Sequence, residues 1–322
     1  MKLFVGVDVS KNSLDMWCNN KSFTISNNQA GLTKFYRLLQ QEIKNGNEIA
    51  LVVCEATGGY ETKLVRFATK KSMPIHVAHA NKVRDYAKSK GLLAKTDKID
   101  AYLLADYGEI MRVQPNDKLC TVEEETLAGL LKRREQLIED KIKEMVRLDK
   151  DLDMRAKRSI KAHIKWLEKE IAKIELLIHK TQKEHGAINT KTELLKSVPS
   201  IGNITACILV AFLPELGRTT GAKKISALAG LAPYTKDSGK YKGKRFIKGG
   251  RSVVRKALYM SALTCIRHYE ELRGFYLRLR NKGKTAKVAL IAVARKLLTV
   301  LNSIMYRKTA WQKTYSVANE TL

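Results

Sequence analysis

Residues 3–11 read LFVGVDVSK, and they constrain the fold more than any other stretch of the chain. Apolar residues and glycine lead without interruption into Asp8, the composition of a strand buried in a sheet core that ends by presenting a carboxylate. Desolvation pushes such a group towards its neutral form, so its place at the end of a buried strand calls for a donor, a cation or a metal beside it.

The next hundred residues alternate strand and helix signals. Residues 3–9, 14–18, 21–25, 49–54 and 74–78 read as strands, and the first three are joined by stretches so short that they predict an antiparallel meander. Leu32, Phe35, Leu38, Leu39 and Ile43 recur at helical spacing across residues 30–44. Three antiparallel strands, a helix, a strand, a helix and a strand is the order of a ribonuclease H-like mixed sheet.

Three further acids sharpen this expectation. Glu55 directly follows the fourth strand in CEATGGY, which in that sheet order neighbours the first strand and brings Glu55 to the same end as Asp8. Asp97 and Asp100, in KTDKIDA, stand three apart at the start of a helical pattern and so share one face. Four converging carboxylates repel one another unless divalent cations neutralise them, and an oxygen-only ligand set suits magnesium or manganese. Each acid also has a purely structural use: Asp97 as an N-cap, Asp100 as a first-turn acid, Glu55 as a loop residue beside Gly58 and Gly59. The set of four in this order favours the shared cation site.

Sixty Lys and Arg against thirty-two Asp and Glu leave a net charge of +28, more than solubility requires, and polyphosphate is its natural partner. The cysteines Cys18, Cys54, Cys120, Cys207 and Cys265 are odd in number and form no CxxC pair, which points to reduced thiols and away from a structural zinc site. Asp8 breaks the first apolar run too early for a signal peptide, and residues 204–213 and 288–294 are shorter than the roughly 18 residues a spanning helix needs. These features predict a soluble cytoplasmic protein associated with nucleic acid, with no membrane partner.

The chain divides by texture into residues 1–112, 113–186 and 187–322. Between Pro115 and Gly186 the middle segment has no proline, one glycine (Gly129), and dense charge of both signs. Leu131, Ile138, Met145 and Leu152 recur every seven residues, and Ile160, Ile164, Leu167, Ile171, Ile174 and Ile178 step by four and three alternately. That seam predicts long coiled-coil helices, pairing within one chain about a turn in DKDLDMRAKRS or between chains as a dimer or tetramer.

The last segment reads as a helical domain. SVPSIG between two helical stretches resembles a helix-hairpin-helix, with Gly202 at the turn offering backbone N–H groups to a phosphate; a ligand-free helix turn reads equally well. Then Lys236, Lys240, Lys242, Lys244, Arg245, Lys248, Arg251, Arg255 and Lys256 stand against the single acid Asp237 in a glycine-interrupted loop or hairpin suited to a phosphate backbone. Ser238 precedes a glycine among these cations, and Ser252 lies in the same basic segment. Residues 252–265 and 284–302 read as helices, and the tail after Tyr306 as polar and loose.

GVDVSK, CEATGGY and KTDKIDA together resemble the four-acid signature of the DEDD transposases, insertion-sequence enzymes whose N-terminal domain is similar to the RuvC resolvase. SVPSIG and LAGLAPYTKDSGKYKGKRFIKGG resemble that family's C-terminal transposase domain, in the same order along nearly the whole chain. The resemblance implies a recombinase that excises and inserts its element, guided by a structured bridge RNA that pairs with donor and target DNA. It implies that Asp8, Glu55, Asp97 and Asp100 bind magnesium, and that Ser238 is the nucleophile of a covalent phosphoserine link. It also implies tetramers in which one subunit's metal site serves another's serine. Two rival readings are a RuvC-like junction nuclease that uses the four acids with water, and a noncatalytic nucleic-acid-binding protein.

Overall fold

The computed structural model describes residues 1–92, 97–115, 121–150, 153–219, 221–235, 237, 243 and 245–312, with the backbone alone for Asp97 and Lys98. The chain forms two compact units, Met1–Leu119 and Cys120–Leu322.

The first unit contains β1 (Lys2–Val9), β2 (Ser13–Cys18), β3 (Lys21–Ser26), α1 (Gln29–Lys44), β4 (Glu48–Glu55), α2 (Thr62–Lys70), β5 (Ile75–Ala78), α3 (Ala80–Ser89) and α4 (Asp97–Ile110). The sheet order is β3-β2-β1-β4-β5, with the first three strands antiparallel and β4 and β5 parallel to β1. This is the RuvC-like mixed sheet that the sequence predicts. Its strands are apolar on both faces because helices cover both. Val5, Val7, Val52 and Cys54 pack with Phe35 and Leu39 of α1 and Leu64 and Ala68 of α2. On the opposite face, Leu51 and Val53 pack with Leu103, Leu104 and Tyr107 of α4.

Gly6 explains how closely α4 lies on the sheet. A Cβ there would overlap the Ala101 carbonyl oxygen and stand 2.6 Å from the Ala105 nitrogen, both backbone atoms. Gly108, two turns further on, packs against Val53 and Phe4. As α4 advances from Ala101 to Gly108, the strand beneath it therefore runs backwards from Gly6 to Phe4. The N-terminus of α4 lies at the C-terminal end of β1.

The second unit opens with two long helices, α5 (Val122–Leu148) and α6 (Met154–Glu184). Thr121 and Glu124 form a reciprocal capping box at the start of α5. The helices pair antiparallel within the chain: Arg134 meets Glu175 at 2.7 Å and Lys141 meets Glu168 at 2.7 Å, the pairs stepping seven residues in opposite directions. In α6 the seam is the one expected, with Leu167 and Ile178 buried. In α5 it departs from the seven-residue list: Met145 is half exposed and its neighbour Glu144 is buried, holding Arg147 and lying 3.3 Å from His163 Nδ1. Leu152 lies outside the described residues.

The remaining elements are α7 (Gly186–Lys196), α8 (Asn203–Phe212), α9 (Ala222–Leu228), β6 (Pro233–Tyr234), β7 (Phe246–Ile247), α10 (Ser252–His268), α11 (Glu270–Asn281) and α12 (Ala286–Arg307). Their core is built on Leu209 and Val210 of α8, Val254 and Leu258 of α10 and Leu297, Leu298 and Leu301 of α12, and Leu127, Leu131 and Ile178 of the long helices share it. By length and composition α12 could cross a membrane, which the run-length reading missed because charged residues interrupt it; half of its apolar window is buried in this core. The chain after α12 is docked as far as Trp311, whose ring meets Tyr269 edge-on and whose backbone N–H donates to Ser197 Oγ at 2.8 Å. The rest of the tail read as loose, residues 313–322, lies outside the description.

Candidate active site

The sheet register decides which acids meet. Gly6 pairs with Val53 and Val7 with Cys54, so the next residues, Asp8 and Glu55, stand side by side at the C-terminal ends of parallel neighbours. Alternation along each strand then fixes the face. Asp8 shares parity with Gly6, and Glu55 with Val53, the two positions on which α4 packs. Both carboxylates are half-buried and lie on the α4 face, at the end where α4 begins. Asp100, half-buried in the first turn of α4 and one residue before Ala101, comes to that same end. Asp97 is the first residue of α4, and its side chain lies outside the description.

A fifth acid joins this face. Asp15 on β2 is the register partner of Asp8 across the antiparallel pair, and its carboxylate accepts from Thr24 Oγ1 at 2.6 Å. Its parity matches Trp17, whose ring meets Tyr102 of α4 edge-on. Counting outward from the SKNS turn would have found it, because a tight meander fixes which residues oppose each other. Among the described residues no three acids, histidines or cysteines close into a metal shell. The carboxylates that the register and α4 bring to this end offer oxygen donors alone.

The loop after Glu55 is organised by Glu61. Its carboxylate accepts from the Thr57 N–H at 3.1 Å, the Thr57 hydroxyl at 3.0 Å and the Gly59 N–H at 2.8 Å, closing the TGG turn on itself. Burial raises the Glu61 carboxyl, but these donors and its own backbone N–H outweigh burial and hold it below its ordinary value. Cys54, just before Glu55, is a core thiol that burial and the Glu61 charge push up to about 12.

Asn27, only 5% exposed, ties this loop to the end of β1. Its Nδ2 donates to the Ser10 carbonyl at 2.9 Å and to the Tyr60 carbonyl at 3.2 Å, and its backbone N–H donates to Asn12. The segments leaving Asp8 and Glu55 are thereby joined by one side chain. Nothing in the local sequence around Asn27 signals this role.

In the second unit, β6 and β7 close the base of the basic segment as a short hairpin. Ser238, Lys236, Lys240, Lys242 and Lys244 lie outside the described residues. Arg245 and Lys248 are exposed at the hairpin, and Asp237 Oδ1 accepts from the Gly243 N–H at 2.9 Å. Arg251 is held in a two-point pair with Glu215, both contacts 2.7 Å, which anchors the end of the hairpin. Arg255 donates to the Gly249 carbonyl at 2.7 Å. Ser252, the other serine of the segment, is exposed as the first residue of α10. The SVPSIG turn joins α7 to α8 with Val198 and Ile201 buried and Gly202 exposed as the N-cap of α8, where no side chain caps the helix.

Comparison with known proteins relates both parts of the chain to transposases. Residues 5–155 match the DEDD transposase profile of the IS110 type, and residues 192–277 match the profile described as Transposase IS116/IS110/IS902 family. The pilin gene-inverting protein of Moraxella lacunata is 30% identical over 97% of this chain and 98% of its own length, and its counterpart in Moraxella bovis matches equally. An insertion element IS110 protein of 43.6 kDa from Streptomyces coelicolor is 32% identical over 37% of this chain and 30% of its own length.

Proposed function

Because the chain belongs to the IS116/IS110/IS902 transposase family, we propose that it excises and inserts an insertion sequence, taking element and target DNA as substrates and a structured bridge RNA as the guide that selects them. The observation that carries this reading is that Asp8 and Glu55 directly follow the register pair of Val7 and Cys54, on the sheet face where α4 begins.

In this reading Asp8, Glu55, Asp97 and Asp100 hold magnesium or manganese, the hard cations that carboxylates favour. A cation held there supplies charge neutralisation and Lewis acidity at a scissile phosphate. The fold's contribution is spacing. The β1 and β4 ends fix Asp8 against Glu55, and the close seat of α4 on Gly6 fixes the approach of Asp100.

Ser238 supplies the nucleophile. Its Oγ bonds to the scissile phosphorus as the phosphorus–oxygen bond to one nucleoside breaks; the serine proton passes to a base and the departing oxygen leaves as a hydroxyl. Arg245 and Lys248, exposed in the same basic segment, offset the phosphate charge. Ser252 is the alternative nucleophile within the same segment. Exposed Ile142, Val146, Leu176 and Leu177 on the paired long helices give a second copy an apolar contact, and assembly to a dimer or tetramer brings one subunit's acids to another's serine. The protein works in the cytoplasm, at the nucleoid.

The test is a denaturing gel of the protein with bridge RNA, element-end and target DNA and magnesium. A protein–DNA adduct that disappears in both Asp8→Ala and Ser238→Ala is the expected result. Cleaved DNA without an adduct, lost only in Asp8→Ala, would establish the hydrolytic nuclease instead. Intact cleavage in Asp8→Ala would remove the four-acid site altogether.

A further inference from the structure

The strong positive charge of this chain is not spread evenly, and one dense block of it lies away from the basic hairpin. Between Glu271 and Glu320 there is no carboxylate, while eleven Lys and Arg occur. Six of them, Arg273, Arg278, Arg280, Lys282, Lys284 and Lys287, are exposed on the outer face of α11, on the turn after it and at the start of α12. Every residue from Arg280 to Val288 is exposed there.

On the long helices α5 and α6 some of the exposed cations are neutralised, although Arg155, Arg158, Lys161 and Lys165 of α6 have no ion pair among the described residues. There Lys143 is paired with Asp140 at 2.9 Å, Lys173 with Glu170 at 2.6 Å and Lys141 with Glu168 at 2.7 Å. Even the basic hairpin's Arg251 and the nearby Lys256 are bound to Glu215 and Glu135. Among the described residues no ion pair involves Arg273, Arg278, Lys282, Lys284 or Lys287. Apart from Glu270 and Glu271 in the first turn of α11 no carboxylate of this stretch offsets these like charges, so the arrangement lowers its energy when a polyanion covers it.

The scaffold beneath is firm. Leu272 is buried and Phe275 packs against the core, so α11 presents its basic side outwards as a fixed array. Arg280 Nη1 donates to the Lys284 carbonyl at 2.7 Å and closes the turn, and Lys296 Nζ lies 5.0 Å above the Phe275 ring. Arg273 and Arg280 are seven residues apart on α11, about 10 Å along the axis. That is about three rises of one nucleic-acid strand.

We infer that α11, the turn after it and the first turn of α12 form a second nucleic-acid-binding surface, distinct from the β6–β7 hairpin, which takes the phosphate backbone of a duplex without reading its sequence. It rests on the reading above only in that the protein works on nucleic acid. Its ligand is duplex DNA, whose rise per strand the spacing of Arg273 and Arg280 matches, and an RNA duplex is the comparison.

The test is binding of the full-length protein, without added divalent metal, to a DNA duplex and an RNA duplex of random sequence, measured by fluorescence anisotropy from 50 to 200 mM salt. The variant carries Arg273→Gln, Lys282→Gln, Lys284→Gln and Lys287→Gln, sparing Arg280 because it closes the turn. For the DNA duplex, at least a tenfold loss of affinity at about 100 mM salt and a fall of two or more in the salt slope are expected, since each phosphate contact contributes about 0.9 to that slope. A loss confined to the RNA duplex would overturn the assignment to DNA. Unchanged slopes on both duplexes would overturn the inference. So would an equal fall in a control bearing Lys143→Gln and Lys173→Gln, because the charge would then act as a diffuse cloud. A wild-type chain that binds neither duplex would instead refute the proposed function itself.

Discussion

Gly6→Ala separates geometry from chemistry in the candidate active site. The methyl group adds no charge and removes no carboxylate, yet it would overlap the Ala101 carbonyl oxygen and stand 2.6 Å from the Ala105 nitrogen and 3.0 Å from the Ala101 carbonyl carbon. Ordinary contact begins near 3.4 Å, so α4 must lift by about 0.8 Å at Ala105 and by more at Ala101. The obstructing atoms are backbone and cannot rotate aside. Overpacking of this kind costs about 1–3 kcal/mol, read as a fall of several degrees in the melting temperature of the first unit. The catalytic loss should be larger, because α4 carries Asp97 and Asp100, and a misplacement near 1 Å costs about 100-fold in rate. Gly129→Ala is the matched control: it lies within α5 with open space around its Cβ position. It should gain about 0.5–1 kcal/mol and leave cleavage unchanged. Metal-dependent cleavage of element-end DNA and a thermal melt, run on both variants, decide the matter. A Gly6→Ala protein that melts like wild type and cleaves within about threefold of it would refute the claim that the seat of α4 sets the spacing of the acids.

Two further outcomes follow from the loops behind the acids. Asn27→Ala removes the donors to the Ser10 and Tyr60 carbonyls and should destabilise the first unit by about 2–3 kcal/mol in urea unfolding, the cost of two hydrogen bonds whose partners are left unsatisfied; a change below about 0.5 kcal/mol would show that the two segments are held by other means. For Glu61, the folded carboxyl lies below its ordinary value of 4.5, so its stabilising effect is fully present above that value and is lost as pH falls through the lower folded one. The gap in melting temperature between wild type and Glu61→Gln should be present at neutral pH and shrink below pH 4.5; a gap that widens on acidification would reverse the sign.

The sheet was legible in the sequence because its strands end where apolar runs end. Asp8 and Glu55 mark those ends, and their register follows once β1 and β4 are neighbours. Asp15 was passed over because it sits mid-strand, where its significance comes only from the residue opposite. Asn27 and Glu61 act through hydrogen bonds set by the fold, Asn27 reaching 33 residues to Tyr60, and no local pattern records them. The α6 seam read correctly because its isoleucines and leucine carry it without a rival. In α5 a heptad count chose Met145, whereas pairing to Arg147 and His163 lets the charged Glu144 occupy the inner position. The cations of α11 escaped notice because charge density alone does not reveal which lysines already have partners; the folded chain separates those that do from those that do not.

The opposed stepping of the ion pairs along α5 and α6 constrains how this protein can change over evolutionary time. Because Arg134 faces Glu175 and Lys141 faces Glu168, an insertion in one helix alone would put every later pair out of step. Length can change without loss only by matched whole heptads in both helices, each adding or removing about 10 Å of reach. The hairpin therefore behaves as a ruler with coarse graduations, and lineages that need a different reach must take it in paired steps of seven.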